Sequence, residues 1–171
     1  MLAQLRLAWW RETLGQPAQA WPAGDMLLTS LASWNGSHGA LTSLVDAWEA
    51  LTAPAPLGDA ALEGFAQGRG AACAALAEVV GSPRDGDAAT RLGRIWALED
   101  LAMRLGREEE RAAAGQLAVL EPARLPRTTR PVRSLRVLAG LARRRRIGGS
   151  DEAAASPGAV MEAVKLGLLG L

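Results

Sequence analysis

Wherever apolar residues recur in this chain they recur every three or four positions, and that period constrains the fold more than any other feature. Leu41, Leu44, Val45, Trp48 and Leu51 follow it, as do Leu62, Phe65, Ala66, Cys73, Leu76, Ala77 and Val80. Side chains so spaced share one face of an α-helix, whereas a half-buried strand needs alternation with a period of two. No such alternation and no internal repeat is present. The expectation is an all-α protein, an antiparallel helical bundle of about 7–8 helices. At 171 residues, 1–171, the chain fits one domain with a core of its own.

Gly, Pro and capping residues place the helices. The first is expected over Leu2 to Leu14, closed by Gly15 and Pro17. Asp25 can cap a short helix that reaches about Trp34. Asn35-Gly36-Ser37-His38-Gly39 reads as a turn. Pro54 and Pro56 end a third helix, and the fourth runs from about Asp59 to Gly81-Ser82-Pro83. A fifth spans about Asp87 to Leu105, and a short one continues to Leu120. Pro122, Pro126 and Pro131 define an extended linker over 121–131. Val132 to Arg146 is helical again, Gly148-Gly149-Ser150 begins a loop, and Ser156-Pro157 opens the last helix.

Several chemistries are excluded by composition. Cys73 is the single cysteine, so there is no internal disulfide and no thiolate metal site, and a reducing compartment fits. His38 is the single histidine, which rules out His-rich metal sites. Any Ser-His-Asp chemistry would have to pass through this one turn residue. No apolar run approaches the ~20 residues of a membrane span. The first twelve residues mix Arg, Gln and Glu with apolar residues, unlike a signal peptide. A cytoplasmic location follows, and the Arg- and Ala-rich usage with a single lysine, Lys165, suggests a bacterial source.

Three helices each aim a charge at their apolar arc. At 100° per residue, Arg6 falls between Leu2, Leu5 and Trp9 on one side and Leu7, Trp10 and Leu14 on the other. Arg69 falls between Phe65, Cys73 and Leu76, and Glu99 falls with Leu92, Ile95, Trp96 and Met103. Unpaired burial of such charges costs several kcal/mol, so Glu99 is expected within salt-bridge range of Arg6 or Arg69. Arg6, Trp10, Arg69 and Glu99 are thus candidates either for a structural buried ion pair or for the lining of a polar cavity within the bundle.

The stretch Leu2-Ala3-Gln4-Leu5-Arg6-Leu7-Ala8-Trp9-Trp10-Arg11-Glu12 resembles the squalene/phytoene synthase family, in which one helix reads close to "iRLaWWRd". Three later stretches resemble that family in the same order: Leu44 to Leu51, Phe65 to Leu76, and Gly93 to Arg104. Together they cover roughly Met1 to Pro126. The resemblance implies an isoprenoid-synthase fold and, in active members, head-to-head joining of prenyl diphosphates. In that chemistry carboxylates spaced i, i+4 hold Mg²⁺ against the diphosphate. If Arg104 matches the Arg of the family's Q-L-T-N-I-L-R-D, the Gln, Asn and Asp of that motif fall on Leu98, Leu101 and Leu105. Leucine cannot bind magnesium. The family's other Asp-rich motif would lie upstream of Met1.

The remaining acidic pairs read as structural. Asp59 and Glu63 open a helix, where acids favour the dipole. Asp46 and Glu49 read as solvated, Asp100 and Arg104 as an ordinary i, i+4 pair, and Glu108-Glu109-Glu110 as a solvated face. Gly64, Gly68 and Gly70 sit within a helix and suit close helix packing rather than a phosphate loop.

Charge is unevenly spread. Arg124, Arg127, Arg130, Arg133, Arg136, Arg143, Arg144, Arg145 and Arg146 fall in a stretch with no acid, although the whole chain carries only +1. The row covers either structural Arg stems and helix-dipole partners or an anion-binding surface. No aromatic accompanies it, which argues against nucleic acid.

The expected function is therefore that of a squalene/phytoene synthase-like pseudoenzyme, similar to the family's branch of respiratory complex I assembly factors. It would lack head-to-head prenyltransferase activity, catalytic residues, metal and cofactor, and act in binding or assembly. Its partners would be an apolar or isoprenoid ligand and an anionic membrane surface or membrane-complex protein. Its place would be cytoplasmic and peripheral to the inner membrane. Two alternatives stay open: an active Mg-dependent prenyl diphosphate synthase, a transferase of isoprenoid biosynthesis whose first Asp-rich motif lies upstream of Met1, and a structural helical interaction protein.

Overall fold

The computed structural model describes residues 2–170. Among them there is helix and turn and no strand. Nine α-helices follow in order: α1 Leu2–Gly15, α2 Met26–Ala32, α3 Thr42–Ala50, α4 Asp59–Val79, α5 Gly86–Arg104, α6 Glu108–Leu120, α7 Arg133–Gly148, α8 Asp151–Ala155 and α9 Pro157–Val164. A π-turn, Lys165–Leu169, prolongs α9. The short α8 stands where the sequence suggested only loop, capped by Ser150 on the Ala153 N–H.

Local chemistry fixes the ends. Asp25 accepts the Leu27 and Leu28 N–H groups at 2.8 and 3.0 Å and so caps α2, a bond worth about 1 kcal/mol. Ser156 caps α9 and Pro157 occupies its first turn. Gly149, with φ 67°, closes α7 in the left-handed region.

The spine is the α4–α5 hairpin, joined by the tight turn Pro83–Asp85. Phe65, Leu62, Leu92, Ile95 and Leu98 are all but fully buried along it. The two backbones approach closely because Gly93 sits at the crossing: a Cβ there would lie 2.8 Å from the Cys73 Sγ and 2.9 Å from the Arg69 carbonyl oxygen. On the other side Gly68 lets α3 in, since a Cβ would overlap the Ser43 carbonyl oxygen and the Ala47 Cβ. Gly64, grouped with these in the sequence, has nothing within 4 Å and is not a packing glycine.

Successive long helices run antiparallel, but α7 lies beside α5 in the same direction. Thr129, just before α7, bonds to Asp85 at the start of α5, while Arg143 and Arg146 reach Glu99 near its end. The linker of 121–131 makes this possible by carrying the chain back along α5 before α7 begins.

Two surface readings from the sequence need correction. Glu110 is not solvated: it is buried and accepts the Leu57 N–H at 2.9 Å. Helix α6 turns this acid under the loop that precedes α4, where it satisfies an otherwise unpaired backbone donor. In α1, Leu2, Leu5 and Trp9 are exposed and only Thr13 and Leu14 are buried. The helix packs on one side only, chiefly against α3, so half of its apolar arc faces water.

Candidate functional site

Glu99 is fully buried on α5. Its partners are neither Arg6 nor Arg69. Arg143 Nε donates to one carboxylate oxygen at 3.0 Å and Arg146 Nε donates to the other. The parallel course of α7 decides this, because it lays the basic end of that helix along the far half of α5. Arg143 also donates to the carbonyls of Pro122 and Ala123, at 3.1 and 2.7 Å, and so ties the linker to the same carboxylate. Both Glu99 oxygens are thereby occupied by guanidinium groups.

Arg69, on α4, stands beside Asp100, the residue after Glu99. Its guanidinium sits between two rings, 4.7 Å from the Phe65 centroid and 4.5 Å from that of Trp96, a cation–π sandwich. Burial holds its pKa below the usual arginine value, against the pull of Asp100 at 3.8 Å. Asp100 is shared with Arg104 at 2.7 Å and Arg145 at 3.4 Å. Arg145 in turn pairs with Asp151 of α8. On the opposite face Arg94 joins Glu63 at 2.7 Å to Glu121 at 2.9 Å. Its hydrogen bond holds the Glu63 carboxyl below the ordinary carboxylate range.

These carboxylates are thus consumed by arginine. Leu98 and Leu101 are buried in an apolar cluster with Phe65, Ala66 and Ala97. Among the described residues no three of His, Cys, Asp or Glu come together as a metal site would require. The Cys73 thiol is pushed up to about 11 by burial, which leaves it unreactive as a nucleophile. His38 is buried in a 3₁₀ turn, edge-on to Trp21 with ring centroids 4.6 Å apart, its Nε2 3.3 Å from the Gln16 carbonyl oxygen. Asp46 and Glu49 remain exposed, and both bind Arg11 of α1.

Arg6 and Trp10 belong to a different place. Helices α1, α2 and α3 enclose an apolar groove of about 240 Å³ whose walls include Leu7, Trp10, Leu31, Leu44, Val45 and Trp48. A wider cleft of about 720 Å³ shares Leu7, Trp10 and Trp48 and extends along α1 to Arg6, which stands exposed at its rim. The groove thus lies between one wall of leucine and valine and two indole rings, with a cation at one end.

The structure divides the nine arginines of the basic stretch. Arg143, Arg144, Arg145 and Arg146 are all paired: Arg144 with Glu162 at 3.1 Å, and the others with Glu99, Asp100 and Asp151. Their local sequence lacks acids, but the acids of α5, α8 and α9 fold against them. Arg124, Arg127 and Arg130 are exposed and, among the described residues, make no hydrogen bond or ion pair. Arg133 donates to the Leu168 carbonyl at 2.7 Å. Arg136 is buried, and burial followed by the fields of Arg133, Arg127 and Arg124 lowers its pKa.

No family model, curated protein or solved structure matches the chain. The likeness to squalene/phytoene synthases therefore rests on the residues quoted above. No helix among the described residues is long and apolar enough to cross a membrane. The sequence picked out Glu99 as inward-facing but not Arg143 and Arg146 as its partners. Their i, i+3 spacing on α7 was the available signal, since it puts both on one helix face.

Proposed function

We propose that this chain is a squalene/phytoene synthase-like protein without head-to-head prenyltransferase activity, working as a binding or assembly factor through the apolar groove of α1, α2 and α3. The observation that carries the reading is the state of the interior carboxylates. A diphosphate–magnesium site needs carboxylates free to face a ligand. Here Glu99 is clasped on both oxygens and Asp100 is shared among three arginines. The groove, by contrast, offers leucine, valine and two tryptophans, walls suited to an isoprenoid chain or the apolar side of a partner helix. The same reading places the protein in the cytoplasm, peripheral to the inner membrane.

Two measurements test this. With farnesyl or geranylgeranyl diphosphate and Mg²⁺, pyrophosphate release should equal the no-protein control, and release above it would restore the active synthase. Farnesol should shift the emission of Trp10 and Trp48, and Leu44→Glu should abolish that shift by placing a charge in the groove. A saturable shift that survives Leu44→Glu would remove the groove from the proposal.

A further inference from the structure

The linker between α6 and α7 is pinned along its inner side. Glu121 accepts two bonds from Arg94, at 3.0 and 2.9 Å. The Pro122 and Ala123 carbonyls accept from Arg143, and the Thr129 N–H donates to Asp85 at 3.1 Å. At both ends the backbone is in the polyproline II region, with φ −73° and ψ 148° at Glu121 and φ −72° and ψ 166° at Thr129. Between them Ala123 and Arg124 form a bend, and Arg130 opens a 3₁₀ turn. Arg124, Arg127 and Arg130, three residues apart, are exposed and among the described residues carry no partner. Inward groups are held and outward cations are free, so the segment presents a fixed row of positive charge.

An apolar strip runs up to this row. Helix α9 and its π-turn lie antiparallel along α7, from Glu162 against Arg144 to Leu168 against Arg133. Val160, Val164 and Leu168, spaced by four, are 59%, 38% and 72% exposed, and Met161 widens the strip. Lys165 is exposed within it. The strip nears the linker's end at Leu168, whose carbonyl accepts from Arg133, three residues after Arg130, and beneath it the buried Leu166 and the linker's Leu125 pack over Gly140.

We infer that this joint surface docks the protein on an anionic lipid bilayer, the linker arginines meeting phosphate groups while the Val160–Leu168 strip enters the headgroup boundary. The inference rests on the peripheral placement proposed above and names the surface responsible. Charge alone would suit any polyanion, but exposed apolar residues beside cations gain free energy only where an apolar phase adjoins the negative charge. A nucleic acid would leave the strip in water, and no aromatic residue stands in the row to stack on bases.

The test is co-sedimentation of the full chain with vesicles of phosphatidylcholine alone or of equal parts phosphatidylglycerol and phosphatidylcholine. Binding is expected only to the anionic vesicles and should weaken steeply with salt. Arg124→Gln, Arg127→Gln and Arg130→Gln together should weaken it on the order of a hundredfold, at roughly fivefold per cation. Leu168→Gln should weaken it several-fold with the salt dependence unchanged. Arg84→Gln, Arg91→Gln and Arg107→Gln together, exposed cations elsewhere, should change little. Equal loss from this second set would reduce the effect to net charge and overturn the inference. So would binding to phosphatidylcholine alone, displacement by millimolar inorganic phosphate at constant ionic strength, or preference for duplex DNA or an acidic polypeptide over the vesicles. Leu44→Glu should leave vesicle binding intact, so a failed groove and a failed docking surface give different results.

Discussion

At the scale of single residues, Glu99 is where one substitution has the largest consequence. Removing it leaves Arg143 and Arg146 facing an apolar interior, and Glu99→Ala should destabilise the protein by about 3 kcal/mol in urea unfolding. A loss under about 1 kcal/mol would mean that the two arginines swing out to water. Replacing all three residues by methionine should recover much of the loss, because a buried ion cluster gains little over apolar side chains of similar volume. Glu63 gives a pH signature. Its folded-state carboxyl lies below the unfolded value of 4.5 because Arg94 bonds to the charged form. Its contribution is therefore complete above that value and is lost as pH falls through the lowered one. Glu63→Gln should flatten the stability profile in that acid range and lower stability by a pH-independent amount above it. Periodicity was enough to aim Glu99 inward, since a wheel fixes the face of a helix. It could not supply the partner, because which face meets which is settled by the course of the linker. Arg6 failed for the same reason: its arc is apolar, yet nothing packs over that side of α1.

At the scale of elements, two glycines of α4 make opposite predictions. Gly68 touches α3, and Gly68→Ala should destabilise by about 1–3 kcal/mol through overlap with the Ser43 carbonyl and Ala47. Gly64 has open space, and Gly64→Ala should stabilise by up to about 1 kcal/mol through helix propensity alone. Thermal unfolding of the pair measures both signs, and equal shifts would refute the packing account. The existence of the long helices was legible because α4 and α5 carry long apolar periods bounded by Gly and Pro. The short α8 was not, since five residues hold too little periodicity to read. Glu110 was misread because a run of three acids resembles a solvated face, and the bond that buries one of them comes from Leu57, far away in sequence.

At the scale of the whole molecule, burial is unequal. Helices α4 and α5 contribute eight or more buried residues each, and α1 contributes two. Local opening follows such differences. Backbone amides of α1 should exchange with deuterium well before those of α4 and α5, and farnesol should slow α1 selectively if the groove binds it. Uniform exchange across all three would show a single cooperative unit in which the groove cannot open by itself. The order in which the helices are synthesised matters as well. Glu99 leaves the ribosome long before its partners, which lie 44 and 47 positions further on. At about 5–20 residues per second the wait is several seconds. Throughout it the newly made hairpin of α4 and α5 carries an unmatched negative charge along the side that α7 will cover. A nascent chain stopped after α6 would hold this side open to water or to a chaperone, and it is the arrival of the tetra-arginine segment Arg143 to Arg146 that allows the interior to dry.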